Sequence, residues 1–154
     1  MTDVLESTTF NDEDTMEGRF LTFLVGDELY GIEIRHVMEI VGIQPITELP
    51  EVPDYVKGII NLRGRIIPVI DIRLRFTKAE KEYNDRTCVI ITCLGGKFVG
   101  LIVDCVSEVL TIQDQDITEN PESESCAYVQ NIAKSGDQVI LLIDCQMLLN
   151  ENHF

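Results

Sequence analysis

The sequence predicts an all-β protein made of two copies of one small unit. Apolar runs of strand length alternate with glycine-containing breaks along most of the 154 residues, as in strands joined by tight turns. Pro45, Pro50 and Pro53 disfavour helix in the first half, because proline lacks an N–H donor and restricts the residue before it. The two halves also align with each other, and this repeat decides the predicted architecture.

The first half is predicted to contain three strands before a central hairpin. In the second strand Tyr30, Ile32 and Ile34 alternate onto one face, which is the period of a half-buried strand. A single helical turn or bend is expected at 34–37, where the apolar spacing changes. The three predicted strands cover 20–25, 29–34 and 39–43.

The central hairpin places an arginine at its tip. Apolar runs at 58–62 and 65–70 flank Arg63-Gly64, and glycine supplies the positive φ that a short turn needs. Pro68 cannot donate a ladder hydrogen bond, so its strand is expected to be an edge strand or to carry a bulge. Arg63 would reach solvent or a partner, and both a docking arginine and a solvated turn arginine fit the sequence. A helical turn is expected at 72–76.

The second half follows a charged linker and repeats the same order of elements. A Gly95-Gly96 turn separates its first two strands, and a polar stretch containing Pro121 is interpreted as a loop. The predicted elements are a linker at 78–86, strands at 87–94 and 98–103, a loop at 114–125, a hairpin of 128–132 with 139–143, and a short helix at 145–150.

The internal repeat is free of gaps within each aligned block. Residues 26–43 align on 95–112, and residues 55–72 align on 128–145. Identical pairs include Gly26/Gly95, Gly31/Gly100, Val37/Val106, Glu39/Glu108, Tyr55/Tyr128, Ile67/Ile140 and Asp71/Asp144. A unit of about 65 residues is marginal alone, and small β units remove exposed edges by closing. We therefore predict two five-stranded SH3-like β-barrel subdomains related by internal duplication, with short helical turns and a short C-terminal helix.

The copies differ most at the tip of the hairpin. Residues 61–64 in the first copy correspond to 134–137 in the second, and the two tips share no residue identity. Shared positions are mostly apolar or glycine, as folding requires, whereas a divergent tip is free to serve function. This difference favours docking at Arg63.

Composition and charge exclude several classes of function. The net charge of −15 disfavours binding to nucleic acid or anionic lipid, since both need clustered Lys and Arg. No apolar run approaches 18 residues, and the start lacks the pattern of a secretory signal. Five cysteines, mostly in apolar runs, indicate reduced thiols in a cytosolic protein. Two histidines and no Cys-x-x-Cys make a zinc site improbable, and we expect no metal, cofactor or direct membrane insertion.

An enzyme is the alternative to a binding module. Asp71 and Asp144 could be proposed as an acid–base pair. They are, however, the same position in the two copies, each just after an apolar strand, so capping of the following turn is the favoured interpretation.

Residues 1–17 carry six acidic residues and no basic one, and are expected to form a disordered acidic tail.

Three segments carry a pattern beyond the repeat. They are 28–34 followed by Val37 and Glu39-Ile40, then 58–64 followed by Pro68 and Asp71, and then 99–106. In this order they resemble the CheW family of chemotaxis coupling proteins, over residues 18–150. The resemblance implies two intertwined five-stranded barrels, at about 18–80 and 86–150, with a frayed end at 151–154. Cys88 stands where relatives more often have an aliphatic residue.

The resemblance also implies a function without catalysis. Family members are cytoplasmic adaptors that bridge the tip of a chemoreceptor to the regulatory domain of the histidine kinase CheA. A coupling protein of a pilus-type chemosensory array would share every motif. The receptor-facing residues implied in the groove between the barrels are Val37, Glu39, Arg63, Ile66, Gly100, Val106 and Val109. Glu39 and Arg63 are expected to approach each other at the rim, while a core role is the stronger alternative for each apolar residue.

Overall fold

The computed structural model describes residues 17–124 and 126–149. Eleven strands and two short helices account for its regular structure. The strands are β1 Arg19–Val25, β2 Glu28–Glu33, β3 Val37–Gly42, β4 Val56–Leu62, β5 Arg65–Asp71, β6 Cys88–Leu94, β7 Lys97–Val103, β8 Cys105–Thr111, β9 Ile117–Glu119, β10 Val129–Ser135 and β11 Gln138–Ile143. The helices are α1 Ile72–Arg75 and α2 Cys145–Leu148, and 3₁₀ turns lie at Ile34–His36 and Asp114–Asp116.

The strands form two sheets, and each sheet draws on both halves of the chain. The six-stranded sheet has the order β8-β1-β2-β11-β10-β9, and the five-stranded sheet has the order β3-β6-β7-β5-β4. The N-terminal hairpin of each copy therefore pairs with the later strands of the other copy: β1–β2 lies in the sheet of β8–β11, and β6–β7 lies in the sheet of β3–β5. Neither sheet follows a division of the chain near residue 80.

The two sheets are equivalent strand by strand except at β9, whose counterpart in the first copy is the isolated bridge between Thr47 and Ile59. Gly31 of β2 lies opposite Leu142 of β11, and the parallel pairing of Gly100 in β7 with Val69 in β5 is its counterpart in the other copy. The β1–β8 and β3–β6 pairs correspond in the same way. The duplication inferred from sequence is therefore present in the pairing register, and the hairpin exchange is reciprocal.

The all-β class with SH3-like subdomains is confirmed, and most predicted elements are found within a few residues. The strand order of both sheets is open, with β3 and β4 or β8 and β9 at the outer positions. A short strand, β9, lies inside the segment predicted as loop. The expectations for residues 1–16 and 150–154 fall outside the described residues.

The expectation for Pro68 is wrong for its strand as a whole. β5 lies inside its sheet, between β7 and β4, and the register shift between them falls at Val56/Gly58 of β4. The parallel pairing with β7 covers only Val69–Asp71. Pro68 therefore precedes the paired segment, where a missing N–H donor breaks no parallel ladder bond.

The largest apolar cluster, termed here the main core, joins the two sheets. Phe23 and Ile32 from the six-stranded sheet pack in one cluster with Ile90 and Leu101 from the five-stranded sheet, and each is fully buried. Each such side chain contributes about 1.5–3 kcal/mol by leaving water. Two smaller clusters lie within the individual sheets. The stability of either sheet thus depends on the other, as the exchanged hairpins require.

Among the described residues, no helix has the length and apolar character needed to cross a membrane.

Candidate functional site

The β4–β5 hairpin closes through a strained two-residue turn. Leu62 pairs with Arg65, so Arg63 and Gly64 are the two central residues, with φ of 52° and 87°. Positive φ at both positions defines a type I′ turn. The Asn61 Oδ1 atom accepts a hydrogen bond from the Gly64 N–H at 2.9 Å. A left-handed conformation costs a non-glycine residue about 1–2 kcal/mol, so Arg63 is held at the tip against its intrinsic preference.

The Arg63 side chain is exposed and turned toward β3. Its Nη2 donates a hydrogen bond to Oε1 of Glu39, with 68% of the arginine side chain and 35% of the glutamate side chain exposed. This contact confirms the expected approach of the two residues. Because both are in contact with water, the pair stabilises the fold by at most about 1 kcal/mol. Its larger effect is to orient the guanidinium.

The ion pair lies on the wall of a surface pocket of about 320 Å³, termed here the tip pocket. Its apolar part is formed by Leu62, Ile67, Ile91 and Phe98, and its rim by Met38, Glu39, Arg63 and Arg65. The Arg65 guanidinium lies over the Phe98 ring, with 4.1 Å between Cζ and the ring centroid, which is a cation–π contact. Met38 is half exposed. The tip pocket therefore combines apolar surface with two arginines in a strongly acidic protein.

Two of the seven predicted receptor-facing residues lie inside the protein. Val37 is 1% exposed and belongs to the main core. Gly100 is also buried, and a Cβ atom added there would lie 2.8 Å from Cγ1 of both Val69 and Val89. Close packing of the strands thus requires glycine at position 100. Because Val37 and Gly100 are both buried, either residue would affect a partner only through the surrounding backbone.

The other three apolar candidates lie away from the tip pocket. Val106 and Val109, on β8, are half-buried and pack against the main core. Ile66 is 57% exposed and neighbours the tip. It faces the side of the sheet opposite to Ile67, and Ile67 lines the pocket. Of the seven residues, only Glu39 and Arg63 line this pocket.

Sequence reasoning missed three residues of the tip pocket. Met38, Arg65 and Phe98 border it, although none was singled out. Arg65 is two residues before Ile67 in β5, and strand alternation places every second residue of a strand on one face. That signal was available for Arg65, whereas Phe98 enters through the β6–β7 hairpin contributed by the other copy. Its proximity depends on the exchange of hairpins.

Asp71 and Asp144 act as N-terminal caps of α1 and α2. The Asp71 side chain accepts hydrogen bonds from the N–H groups of Arg73 and Leu74, and Asp144 makes the equivalent pair. The predicted capping role is confirmed. Asp71 is buried and also accepts a hydrogen bond from the Tyr83 hydroxyl at 2.8 Å. Burial, together with this bond, raises the pKa of Tyr83 far above its usual value.

The described residues contain no group of three or more His, Cys, Asp or Glu side chains arranged to hold a metal ion.

Comparison with known proteins identifies relatives along nearly the whole chain. The family model described as CheW-like domain matches residues 19–153. The chemotaxis protein CheW of Klebsiella aerogenes is 36% identical over 140 residues, covering 89% of this chain and 84% of that protein. CheW of Rhizobium meliloti is 39% identical over 128 residues, covering 83% and 79%.

A solved structure shares the fold described above. The crystal structure of the scaffolding protein TtCheW from Thermoanaerobacter tengcongensis matches with a TM-score of 0.82 and 39% identity, covering 88% of this chain and 94% of that one. With the sheet pairing, the family model and these relatives in agreement, the chain belongs to the CheW family of chemotaxis proteins.

Proposed function

We propose that this chain is a non-enzymatic adaptor that couples the cytoplasmic tip of a chemoreceptor to the histidine kinase CheA. The observation that carries the proposal is Arg63, exposed at a turn whose backbone disfavours arginine, paired with Glu39 beside an apolar pocket. Strain retained at an exposed position supports a functional role for the side chain. The family relationship supports the choice of partners.

The shape and charge of the tip pocket suit a helical partner. Receptor tips in this family are helical hairpins, and an amphipathic helix binds by laying apolar side chains into a groove. Phe98 and Met38 offer apolar contact at the pocket, at about 25 cal/mol for each Å² removed from water. Arg63 and Arg65 would donate hydrogen bonds to carboxylate or carbonyl groups of the helix. The same pairing with Glu39 keeps the Arg63 guanidinium ordered before binding.

The remaining receptor-facing candidates would act around this pocket. Ile66 offers exposed apolar surface on the opposite face of the hairpin, and Val106 and Val109 offer partly buried surface on β8. Val37 and Gly100 would act by holding β3 and β7 in place. A receptor hairpin touching both faces of the tip would contact more of these residues than a single helix in the pocket.

The first test replaces Arg63 with asparagine. Asparagine tolerates the left-handed turn, so Arg63→Asn removes the guanidinium while the hairpin is retained. We expect co-sedimentation with receptor-bearing membranes and CheA to weaken about tenfold, since a charge-assisted hydrogen bond contributes about 1.5–3 kcal/mol. Melting should stay near that of the wild type.

Lys134→Gln is the matched control. Lys134 is an exposed cation on β10, in the equivalent hairpin of the second copy, so the control removes the same charge without altering the tip pocket. Its co-sedimentation should equal that of the wild type. Receptor coupling that is undiminished in Arg63→Asn would exclude the proposed role of Arg63.

A coupling protein of a pilus-type array is the second candidate. The tip pocket and the fold serve both arrays equally, and the receptors captured from native membranes distinguish them.

A further inference from the structure

Two cysteines lie at the junction between the sheets, and both contact Arg86. Cys88 begins β6 in the five-stranded sheet, and Cys105 begins β8 in the six-stranded sheet. The Cys88 thiol donates a hydrogen bond to the carbonyl oxygen of Arg86, with 3.3 Å between Sγ and O. The guanidinium of the same arginine donates to Sγ of Cys105 at 3.4 Å. One exposed arginine therefore contacts both sulfur atoms.

Strand pairing and a backbone contact also place Cys88 near Cys105. Cys88 pairs with Val103 at the end of the β6–β7 ladder, two residues before Cys105. The backbone of Val106 forms a hydrogen bond with the Cys88 thiol, and Val106 is joined to Cys105 by one peptide bond. Adjacent Cα atoms are about 3.8 Å apart. The Cys88 sulfur thus lies beside the peptide bond that joins Cys105 to Val106, which makes Cys105 the thiol to test as its partner.

Both thiols are partly exposed, unlike Cys145. Cys88 and Cys105 are each of intermediate burial, so a small oxidant can reach them from solvent. Cys145 is 3% exposed, and burial raises its pKa to about 12, which leaves it protonated and unreactive. Burial also raises the pKa of the Cys88 thiol, so Cys105, whose sulfur contacts the Arg86 guanidinium, is the cysteine expected to attack an oxidant first.

The fold does not require cysteine at either position. At the corresponding junction between β1 and β3, strand register and the repeat place Arg19 and His36 where Cys88 and Cys105 stand. The equivalent junction is built with side chains of different size and charge. Two cysteines at one junction and none at the other indicate a property added to a common scaffold.

We propose that Cys88 and Cys105 form an oxidant-responsive dithiol that a peroxide converts into a disulfide. The thiolate of one cysteine attacks the peroxide, breaks its O–O bond and becomes a sulfenic acid, with one water released. The second thiolate then attacks that sulfur, forms the S–S bond and breaks the S–O bond, so that the second oxygen also leaves as water. Overall, two thiols lose two protons and two electrons, and one peroxide is reduced to two waters.

The disulfide fastens the start of β8 to the start of β6. These strands belong to different sheets, so the bond adds a covalent link across the junction of the main core. β8 also carries Val106 and Val109, two of the proposed receptor-facing residues. Formation of the disulfide is nevertheless measurable in the isolated protein, whatever its partner.

The test is peptide mapping of the full-length protein after treatment with hydrogen peroxide and alkylation of the remaining thiols. Trypsin places Cys88 with Cys93 on one peptide and Cys105 with Cys126 on another. The variant Cys93→Ser/Cys126→Ser therefore makes the assignment unique. We expect a monomeric product, lighter by two hydrogens, in which these two peptides are joined and are released by dithiothreitol.

The controls separate chemistry from folding. In the same background, Cys105→Ser and Cys88→Val should each abolish the joined peptides, and valine preserves the apolar packing of Cys88 against the main core. The melting temperature of the oxidised protein should rise and return on reduction. The proposal is overturned by joined chains formed through Cys93 or Cys126 in the wild type. Sulfinic acid at Cys88 or Cys105 without a cross-link would overturn it equally.

Discussion

The β4–β5 and β10–β11 hairpins are two copies of one structure, and they differ where the first copy meets a partner in the proposed function. Both have a two-residue turn and a register shift at the same place, Val56/Gly58 in one and Val129/Asn131 in the other. In the second copy Gly136 takes the positive φ of the turn, at 63°. In the first copy Arg63 takes it, at 52°.

The difference separates what the fold needs from what the proposed function needs. The turn requires a residue of positive φ, and glycine adopts this conformation with little strain. Arginine at the same place adds a guanidinium to the tip pocket at the expense of backbone strain. Where two copies share a scaffold, the copy with the less favourable residue is the one to examine for binding. Three pairs of substitutions at equivalent positions of the two copies, and one double-mutant cycle, test this view.

The largest effect is expected at Gly58. Its φ is 145°, and a Cβ atom added there would lie 2.1 Å from the carbonyl oxygen of Thr47. Thr47 cannot move freely, because it exchanges two backbone hydrogen bonds with Ile59 at 2.9 Å each. Gly58→Ala should lower the free energy of unfolding by about 3–4 kcal/mol, measured by urea denaturation.

The counterpart of Gly58 is Asn131, which is exposed. Asn131→Ala should change the free energy of unfolding by at most about 0.5 kcal/mol. Equal losses of unfolding free energy at the two positions would mean that β4 at Gly58 and β10 at Asn131 are constrained alike, contrary to the structure.

The two capping aspartates should differ in the same direction. Asp71 is buried and accepts from two backbone N–H groups and from Tyr83, whereas Asp144 is exposed and accepts from the backbone N–H groups of Gln146 and Met147. Asp71→Ala leaves buried donors unsatisfied and should cost about 3 kcal/mol. Asp144→Ala removes an ordinary cap, at about 1 kcal/mol. Thermal unfolding of both variants measures the difference, and similar losses would contradict it.

Substitutions in the turn should change the free energy of unfolding by a smaller amount, and with opposite sign in the two copies. In a Glu39→Ala background, where the ion pair is absent, Arg63→Gly should raise the free energy of unfolding by about 1 kcal/mol, because the left-handed strain is relieved. Gly136→Ala should lower it by about 1 kcal/mol for the same reason. If Arg63→Gly destabilised the protein, arginine would contribute contacts to the turn beyond those described.

The residue patterns were sufficient for the elements and for the duplication, but the exchange of hairpins was expected only from the intertwining that the resemblance implied. Apolar alternation predicted the strands, and the repeat placed β8 as the copy of β3. These patterns cannot predict the exchange, because the same residue stands at equivalent positions of the two copies, Ile67 in one and Ile140 in the other. β2 pairs with β11 at Ile140, but the same apolar pattern would fit pairing with β5 at Ile67. Strand β9 was missed because only one of its three residues, Ile117, is apolar, so there is no alternation to detect.

The candidate site was predictable in its charged part. The resemblance placed Glu39 and Arg63, and their contact joins β3 to the β4–β5 turn at opposite ends of the strand order of one sheet. The pocket beside them depends on Phe98, which arrives on the exchanged β6–β7 hairpin. A residue that belongs to the other copy has no local signal for its neighbours. The tip pocket could therefore not be predicted from the sequence.

The smallest effect is the coupling between Glu39 and Arg63, and it decides whether the pair belongs to stability or to binding. A double-mutant cycle of Glu39→Gln and Arg63→Asn isolates their interaction in the unfolding free energy. We expect about 0.5 kcal/mol, decreasing with added salt, because the arginine is largely exposed. The same cycle measured by receptor co-sedimentation should give a larger coupling, since Glu39 orients the group that binds. Equal couplings in the two assays would make the pair a purely structural contact, and the arginine at the first tip would then differ from the glycine at the second without functional reason.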